Sequence, residues 1–272
     1  MTRASATAKV NLALVVGPAR SDGKHEVVTV LQRLALADRV EVTPGDGLTV
    51  EGFAEDTLVR AALTSLALEA GVRPRWRARI SKHIPVASGL GGGSSDAATA
   101  LLLANATLDE PLSDDRLHQL ARGLGADVPF FLESGPQLGQ EEGAALTPLE
   151  LPQDYFVLLV LPRGAAKPAT AAVYDDFDRR SGADGYEARR AELLEAVAAV
   201  ARPRDLAALP ANDLASSPLS DELRELGAFR ADVSGAGPTV YGLFHHRQVA
   251  EAARRRLRSR GRVWLTAPAW YG

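Results

Sequence analysis

The most informative stretch of this 272-residue chain is Pro85-Val86-Ala87-Ser88-Gly89-Leu90-Gly91-Gly92-Gly93-Ser94-Ser95-Asp96. Four glycines remove side chains so that successive backbone N–H groups can converge on an anion. Ser94, Ser95 and Asp96 then open a helix, whose N-terminus carries about half a positive charge from its aligned peptide dipoles. Phosphate is the natural guest. The pattern is not a Walker A loop, which needs a lysine after its second glycine, nor a dinucleotide fingerprint, because Ser94 stands where the last glycine belongs. Lacking its own lysine, the loop must borrow positive charge from Mg²⁺ or from nearby Lys82. A Gly/Ser helix cap is the plainer alternative, but three consecutive glycines exceed what a cap requires.

Lysine is scarce. Of 31 basic residues only Lys9, Lys24, Lys82 and Lys167 are lysine and the rest are arginine, which directs attention to those four. Lys9 and Asn11 sit on one face of an alternating strand, so an ammonium and an amide emerge side by side. A solvated edge-strand lysine is the commoner fate of a single Lys; the pairing with Asn11 argues for a site. Asp127, in Gly125-Ala-Asp-Val-Pro129, suits a carboxylate that orients an attacking hydroxyl and accepts its proton late. On its residues alone it serves equally well as a helix cap before Pro129. A second glycine turn, Ser234-Gly235-Ala236-Gly237, lies between two expected strands; alone it is a tight hairpin, and paired with the first loop it would bind substrate phosphates.

The elements that must carry these residues are readable from periodicity. Strands are expected at 8–16, 25–36, 39–42, 75–80, 155–161, around the second glycine turn and at 263–266. Helices are expected at 57–69 (stopped by Gly71), 97–104, 114–123, 186–201, 219–226 and 248–258. Strands and helices mix without regular βαβ alternation, which favours α+β. A change of texture near residues 150–153 suggests two domains, 1–150 and 151–272.

Composition narrows the function classes. A formal charge of -3 speaks against a nucleic-acid coat or a polybasic membrane binder, and no cysteine means no disulfide, thiolate nucleophile or Cys-ligated metal. No stretch reaches the roughly 20 apolar residues of a membrane span, and Lys9 and Asn11 interrupt what would otherwise pass for a signal segment. A cytoplasmic protein is expected. Arg254, Arg255, Arg256, Arg258, Arg260 and Arg262 read as a solvated helix face, Arg75, Arg77 and Arg79 as the wet side of a sheet, and His245-His246 as a weak metal signal.

PVASGLGGGSSDAA resembles the phosphate loop of the galactokinase, homoserine, mevalonate and phosphomevalonate (GHMP) kinase superfamily. Within it, AKVNLAL, RSDGKHEV, GLGADVPFF and SGAGPTVYGLF are similar, in order and over essentially the whole chain, to the 4-diphosphocytidyl-2-C-methylerythritol kinase family. The resemblance implies a two-lobed α+β fold, with a ribosomal-protein-S5-domain-2-like N-terminal lobe, a ferredoxin-like C-terminal lobe and a cleft between them. It implies transfer of phosphate from ATP, with Mg²⁺, to the 2-hydroxyl of a cytidine-diphosphate substrate in isoprenoid precursor synthesis, by a monomer or weak homodimer needing no nucleic acid or membrane. Lys9 and Asp127 become catalytic. Lys82 and residues 85–95 become the ATP-phosphate site, and Asn11, Lys24, His25, Thr170, Tyr174, Gly235 and Gly237 the substrate site, with His25 against cytosine and Tyr174 stacked on it. No metal ligand is assigned.

Three positions depart from the family pattern. Lys24 replaces the usual tyrosine platform, Glu141-Glu142-Gly143-Ala144 replaces a Gly-x-Gly-Glu run, and Asp56-Thr57 stand where an adenine-associated asparagine is usual. Another GHMP small-molecule kinase (homoserine or mevalonate type) and a degenerate nucleotide-binding member are the alternatives; retention of both Lys9 and Asp127 argues against the second.

Overall fold

The structure is a computed structural model that describes residues 2–53, 56–165 and 169–269; Lys167 lies outside them. The chain forms two compact units that interleave in sequence. The first comprises residues 1–8, 36–86 and 91–134, the second 9–35, 87–90 and 135–272. The expected single boundary near residue 150 is therefore replaced by repeated crossings. Two long strands, β1 (Thr2–Ala19) and β2 (His25–Pro44), run from one unit into the other. The expected break between residues 36 and 39 does not occur.

In the first unit the second half of β2 pairs antiparallel with β4 (Trp76–Ser81), and β3 (Thr49–Glu51) adds parallel to β4. β4 alternates as its sequence requires: Trp76, Ala78 and Ile80 are buried, while Arg77 and Arg79 face out and lie 3.6 and 3.7 Å from Glu51. Helices α1 (Leu58–Glu69), α2 (Gly92–Asn105) and α3 (Asp114–Leu124) supply the rest of the core, with Val59, Leu63 and Leu66 of α1 packed among Ala97, Ala100, Leu101 and Leu117. α3 carries Asp114 and Asp115 in its first turn and Arg122 in its last, the signs that its dipole favours. α2 begins five residues earlier than its Ala/Leu run suggests. Helix-poor glycines hide its first turn from a propensity reading.

In the second unit β2 pairs with β5 (Gln137–Gln140), which turns into β6 (Ala145–Pro148); both are too short to stand out in sequence. β7 (Phe156–Pro162), β8 (Arg230–Val233), β9 (Val240–Phe244) and β10 (Gly261–Thr266) make a separate antiparallel sheet in the order β10-β7-β9-β8. Its apolar face, with Leu158, Val160 and Val240, packs with Leu223 of α6 (Pro218–Glu225) and Ala250, Ala253 and Leu257 of α7 (Arg247–Leu257). α4 (Thr170–Arg179) sets Val173, Tyr174 and Phe177 against Leu14, Val16 and Val27. α5 (Tyr186–Ala198) buries Tyr186 and Leu193. The α+β expectation holds.

Candidate active site

α2 starts on Gly91, whose φ of +71° is the left-handed conformation that glycine adopts without a Cβ clash. No side chain caps this end, so the first amides of α2, which have no intrahelical acceptor, are left to another acceptor. Gly91 to Ser94 are half-buried, whereas Ser95 and Asp96 are buried. The segment before them behaves differently. Residues 87–90 are stitched to the second glycine turn: Thr239 N–H donates to Ser88 O at 3.2 Å and Ser234 Oγ to Gly89 O at 3.1 Å. A Cβ on Gly89 would stand 2.6 Å from Ser234 O and 2.8 Å from Gly237 O, at a φ of +83°. The two glycine turns singled out in the sequence thus meet, backbone against backbone.

Beside them lies the strand pair of β1. Lys9 is 4% exposed, so it is no solvated edge lysine. Its Nζ donates to Asn11 Oδ1 at 2.7 Å; Asn11 Nδ2 donates to Thr29 Oγ1 at 2.8 Å, and Thr29 Oγ1 to Ala13 O at 2.8 Å. Lys9 N–H donates to Leu90 O at 2.9 Å, fixing the strand on the loop. Gly235 passes close by: a Cβ there would lie 3.3 Å from Asn11 Oδ1 and 3.7 Å from Lys9 Nζ. Asn212 holds that turn, donating from Nδ2 to Gly235 O at 2.7 Å and to Val233 O at 2.9 Å. Thr29 and Asn212 carry no motif, and their part in positioning Asn11 and Gly235 emerges only from the fold.

Asp127, in the first unit, is half-buried in the turn between α3 and the short 3-10 helix Pro129–Leu132. The N-cap position of that helix falls on Val128, one residue past Asp127.

His25 opens β2 and stacks on Tyr174 at 4.7 Å and 27°, with Phe177 edge-on at 6.1 Å. Its Nε2 is 2.9 Å from Asp178 Oδ1, a partner one helical turn beyond Tyr174. Thr170, the first residue of α4, is exposed. Lys24, 55% exposed, lies 3.7 Å from Glu142, which also sits 3.9 Å from Arg20. Two departures from the family pattern therefore answer each other: the ammonium that replaces an aromatic ring faces a carboxylate from the altered glycine run. The third departure is also accounted for. Asp56 Oδ2 accepts from Val59 N at 3.0 Å and Arg60 N at 3.3 Å, capping α1, and burial raises its pKa above the ordinary carboxylate range.

Lys82 is the exception among the expected phosphate ligands. Its ammonium donates to Asp38 Oδ2 and, at 2.7 Å, to Asp96 Oδ2, and its side chain is only 16% exposed. Burial opposes its charge, but Asp96 and Asp38 outweigh that and raise its pKa. Burial pushes Asp96 up to about 7 against the pull of Lys82.

The GHMP kinases N terminal domain model matches residues 57–135, and the GHMP kinases C terminal model residues 215–263. A 4-diphosphocytidyl-2-C-methyl-D-erythritol kinase from Kineococcus radiotolerans is 40% identical over 87% of this chain and 79% of its own length. One from Geobacter sulfurreducens is 35% identical over 96% of each. Among solved structures, a 4-(cytidine 5'-diphospho)-2C-methyl-D-erythritol kinase superposes with a TM-score of 0.80 at 32% identity, covering 99% of this chain and 100% of that one. The mevalonate kinase of Methanococcus jannaschii shares the fold, with a TM-score of 0.74 at 13% identity over 99% and 98% of the two chains. On these matches the chain belongs to the 4-diphosphocytidyl-2-C-methyl-D-erythritol kinase family of GHMP kinases.

Proposed function

We propose that this chain transfers the γ-phosphoryl group of ATP to the 2-hydroxyl of 4-diphosphocytidyl-2-C-methyl-D-erythritol, a step of the methylerythritol phosphate route to isoprenoid precursors. The observation that carries the reading is the buried Lys9 ammonium, held 2.7 Å from Asn11 with Gly235 alongside. A buried cation costs several kcal/mol unless it is paired or hydrogen-bonded, so an ammonium kept at this depth beside the Asn11 amide supports a role at the substrate.

Phosphoryl transfer needs positioning and charge compensation more than covalent help. The hydroxyl oxygen forms the new P–O bond as the bond to the bridging oxygen of ADP breaks. Asp127 orients that hydroxyl and takes its proton late, when the oxygen has become acidic. Lys9 offsets charge on the transferring group, and Asn11 hydrogen-bonds the substrate. The loop 85–95, at the start of α2, receives the ATP phosphates; Lys82 belongs to that loop's support. His25, Tyr174 and Thr170 form the nucleobase end, Gly235 and Gly237 close backbone on the substrate, and Lys24 reaches its diphosphate or base. Mg²⁺ bound with the nucleotide would supply charge compensation at the phosphates. Among the described residues no cluster of three or more His, Cys, Asp or Glu side chains is placed to hold a metal ion. No helix of the described residues is long and apolar enough to cross a membrane. A cytoplasmic enzyme acting on small molecules, as monomer or weak homodimer, fits this chemistry.

Phosphorus NMR of the protein with MgATP and the diphosphocytidyl substrate, with homoserine and mevalonate as parallel acceptors, tests the reading. A new phosphomonoester with ADP in the cytidine sample alone is expected; transfer to another acceptor instead, or to none, overturns it.

A further inference from the structure

Beneath the start of α2, two carboxylates share a single lysine. The β2–β4 ladder ends at Arg39 opposite Ser81, which puts Asp38 next in line opposite Lys82. Asp38 is buried and uses both oxygens: Oδ1 accepts the backbone N–H of His83 and, at 2.8 Å, that of Ile84, while Oδ2 accepts from Lys82 Nζ. The same Nζ donates to Asp96 Oδ2 at 2.7 Å, and Asp96 is buried in the second turn of α2. Gly92, the first residue of α2, lies directly on this cluster: a Cβ there would meet Lys82 Nζ at 3.3 Å and Ile84 Cγ2 at 3.1 Å. One ammonium therefore ties a strand, the turn that follows β4 and the opening of α2 into one block, and a Cβ at Gly92 would crowd it by a few tenths of an ångström.

We propose that Asp38 and Asp96 are positioning residues that clamp Lys82, and that Lys82 serves nucleotide binding by fixing the first turn of α2 and not by touching phosphate. The proposal rests on the reading that this turn receives the ATP phosphates. Two independent carboxylate bonds account for the ammonium of Lys82, and its side chain stays mostly covered. Such a clamp rigidifies a backbone anion site before the ligand arrives, which lowers the ordering cost of binding.

The direct-contact alternative makes the opposite forecast. If Lys82 met phosphate, Asp96→Ala would release its charge and leave ATP affinity equal or tighter, and Lys82→Arg would preserve it. The clamp predicts that Asp96→Ala and Lys82→Arg each weaken ATP binding about tenfold by calorimetry. It further predicts that the double variant Lys82→Arg/Asp96→Ala is no worse than the poorer single one, because both act on one unit. Asp96→Asn, which keeps an oxygen for Lys82, should restore affinity to within about threefold. Amide hydrogen exchange of residues 91–96 in the free protein gives a readout that needs no nucleotide: Asp96→Ala and Lys82→Arg should speed it about tenfold, and Asp96→Asn should not. Unchanged exchange in the folded variants, or tighter ATP binding by Asp96→Ala, overturns the clamp. Absence of ATP binding by the parent protein with the exchange pattern intact overturns the nucleotide reading and leaves the clamp standing.

Discussion

At the residue scale the site divides into groups that act on the reacting atoms and groups that hold them. On the proposed mechanism Asp127 belongs to the first kind. Asp127→Asn keeps its shape and removes the proton acceptor, so ATP affinity should stay within a few-fold while turnover falls by about two orders of magnitude or more; a steady-state assay beside an ATP titration checks it, and equal turnover would remove Asp127 from the mechanism. Thr29 belongs to the second kind. Its hydroxyl bridges Asn11 Nδ2 and Ala13 O, so Thr29→Val strands a buried amide N–H at a cost of about 1–3 kcal/mol, visible as a melting temperature lower by several degrees. Lys24 faces Glu142, with Arg20 also beside that carboxylate. Lys24→Tyr therefore leaves Glu142 its arginine and supplies a second ring near His25, and the cytidine substrate should bind several-fold tighter. Weaker binding would show that the ammonium itself contacts the substrate.

Backbone proximity decides more than side chains at the scale of elements. Gly89 and Gly23 both have positive φ, but a Cβ on Gly89 would run into two carbonyl oxygens of the turn 234–237, whereas on Gly23 it would meet nothing within 4 Å. Gly23→Ala should cost only the conformational strain of about 1–2 kcal/mol. Gly89→Ala should cost about twice that or more in a urea titration; equal costs would mean the two turns are not packed as described. This packing also shows what could be read in the sequence and what could not. The turn between β8 and β9, the alternation of β4 and the ends of α3 were legible because period, turn residues and charges agreed. The start of α2 was legible only to within its first turn, at Ser94–Asp96 where the helix begins at Gly92, because glycines have poor helix propensity. β5 and β6, four residues each, carry too little pattern to register. Asn11, His25 and Gly235 were legible as types in motifs, but their partners Thr29, Asp178 and Asn212 come from other segments that only the fold brings near. Lys82 was legible as a lysine by the loop, while its two carboxylate partners, 44 residues before and 14 after it, were not.

For the molecule as a whole, buried acids set the response to pH. Burial raises Asp56, Asp96 and Asp232, with Asp96 reaching about 7. Between the unfolded value near 4 and that point, the folded chain holds a proton that the unfolded chain has released. The contribution of Asp96 is therefore present in acid and is lost as pH rises toward 7. Asp96→Asn does not titrate, so its melting temperature should gain on the parent's between about pH 4.5 and pH 8 and level off beyond; a constant difference would contradict the shift. The interleaving of the two units bears on how this chain can be divided. A cut at residue 150 leaves the amino-terminal piece carrying residues 9–35, 87–90 and 135–150, which pack in the second unit, and leaves the carboxy-terminal piece without them. Gene fragments split there should be insoluble when made singly and regain activity only when made together, and a protease that nicks the chain once should yield a nicked whole, not two free halves.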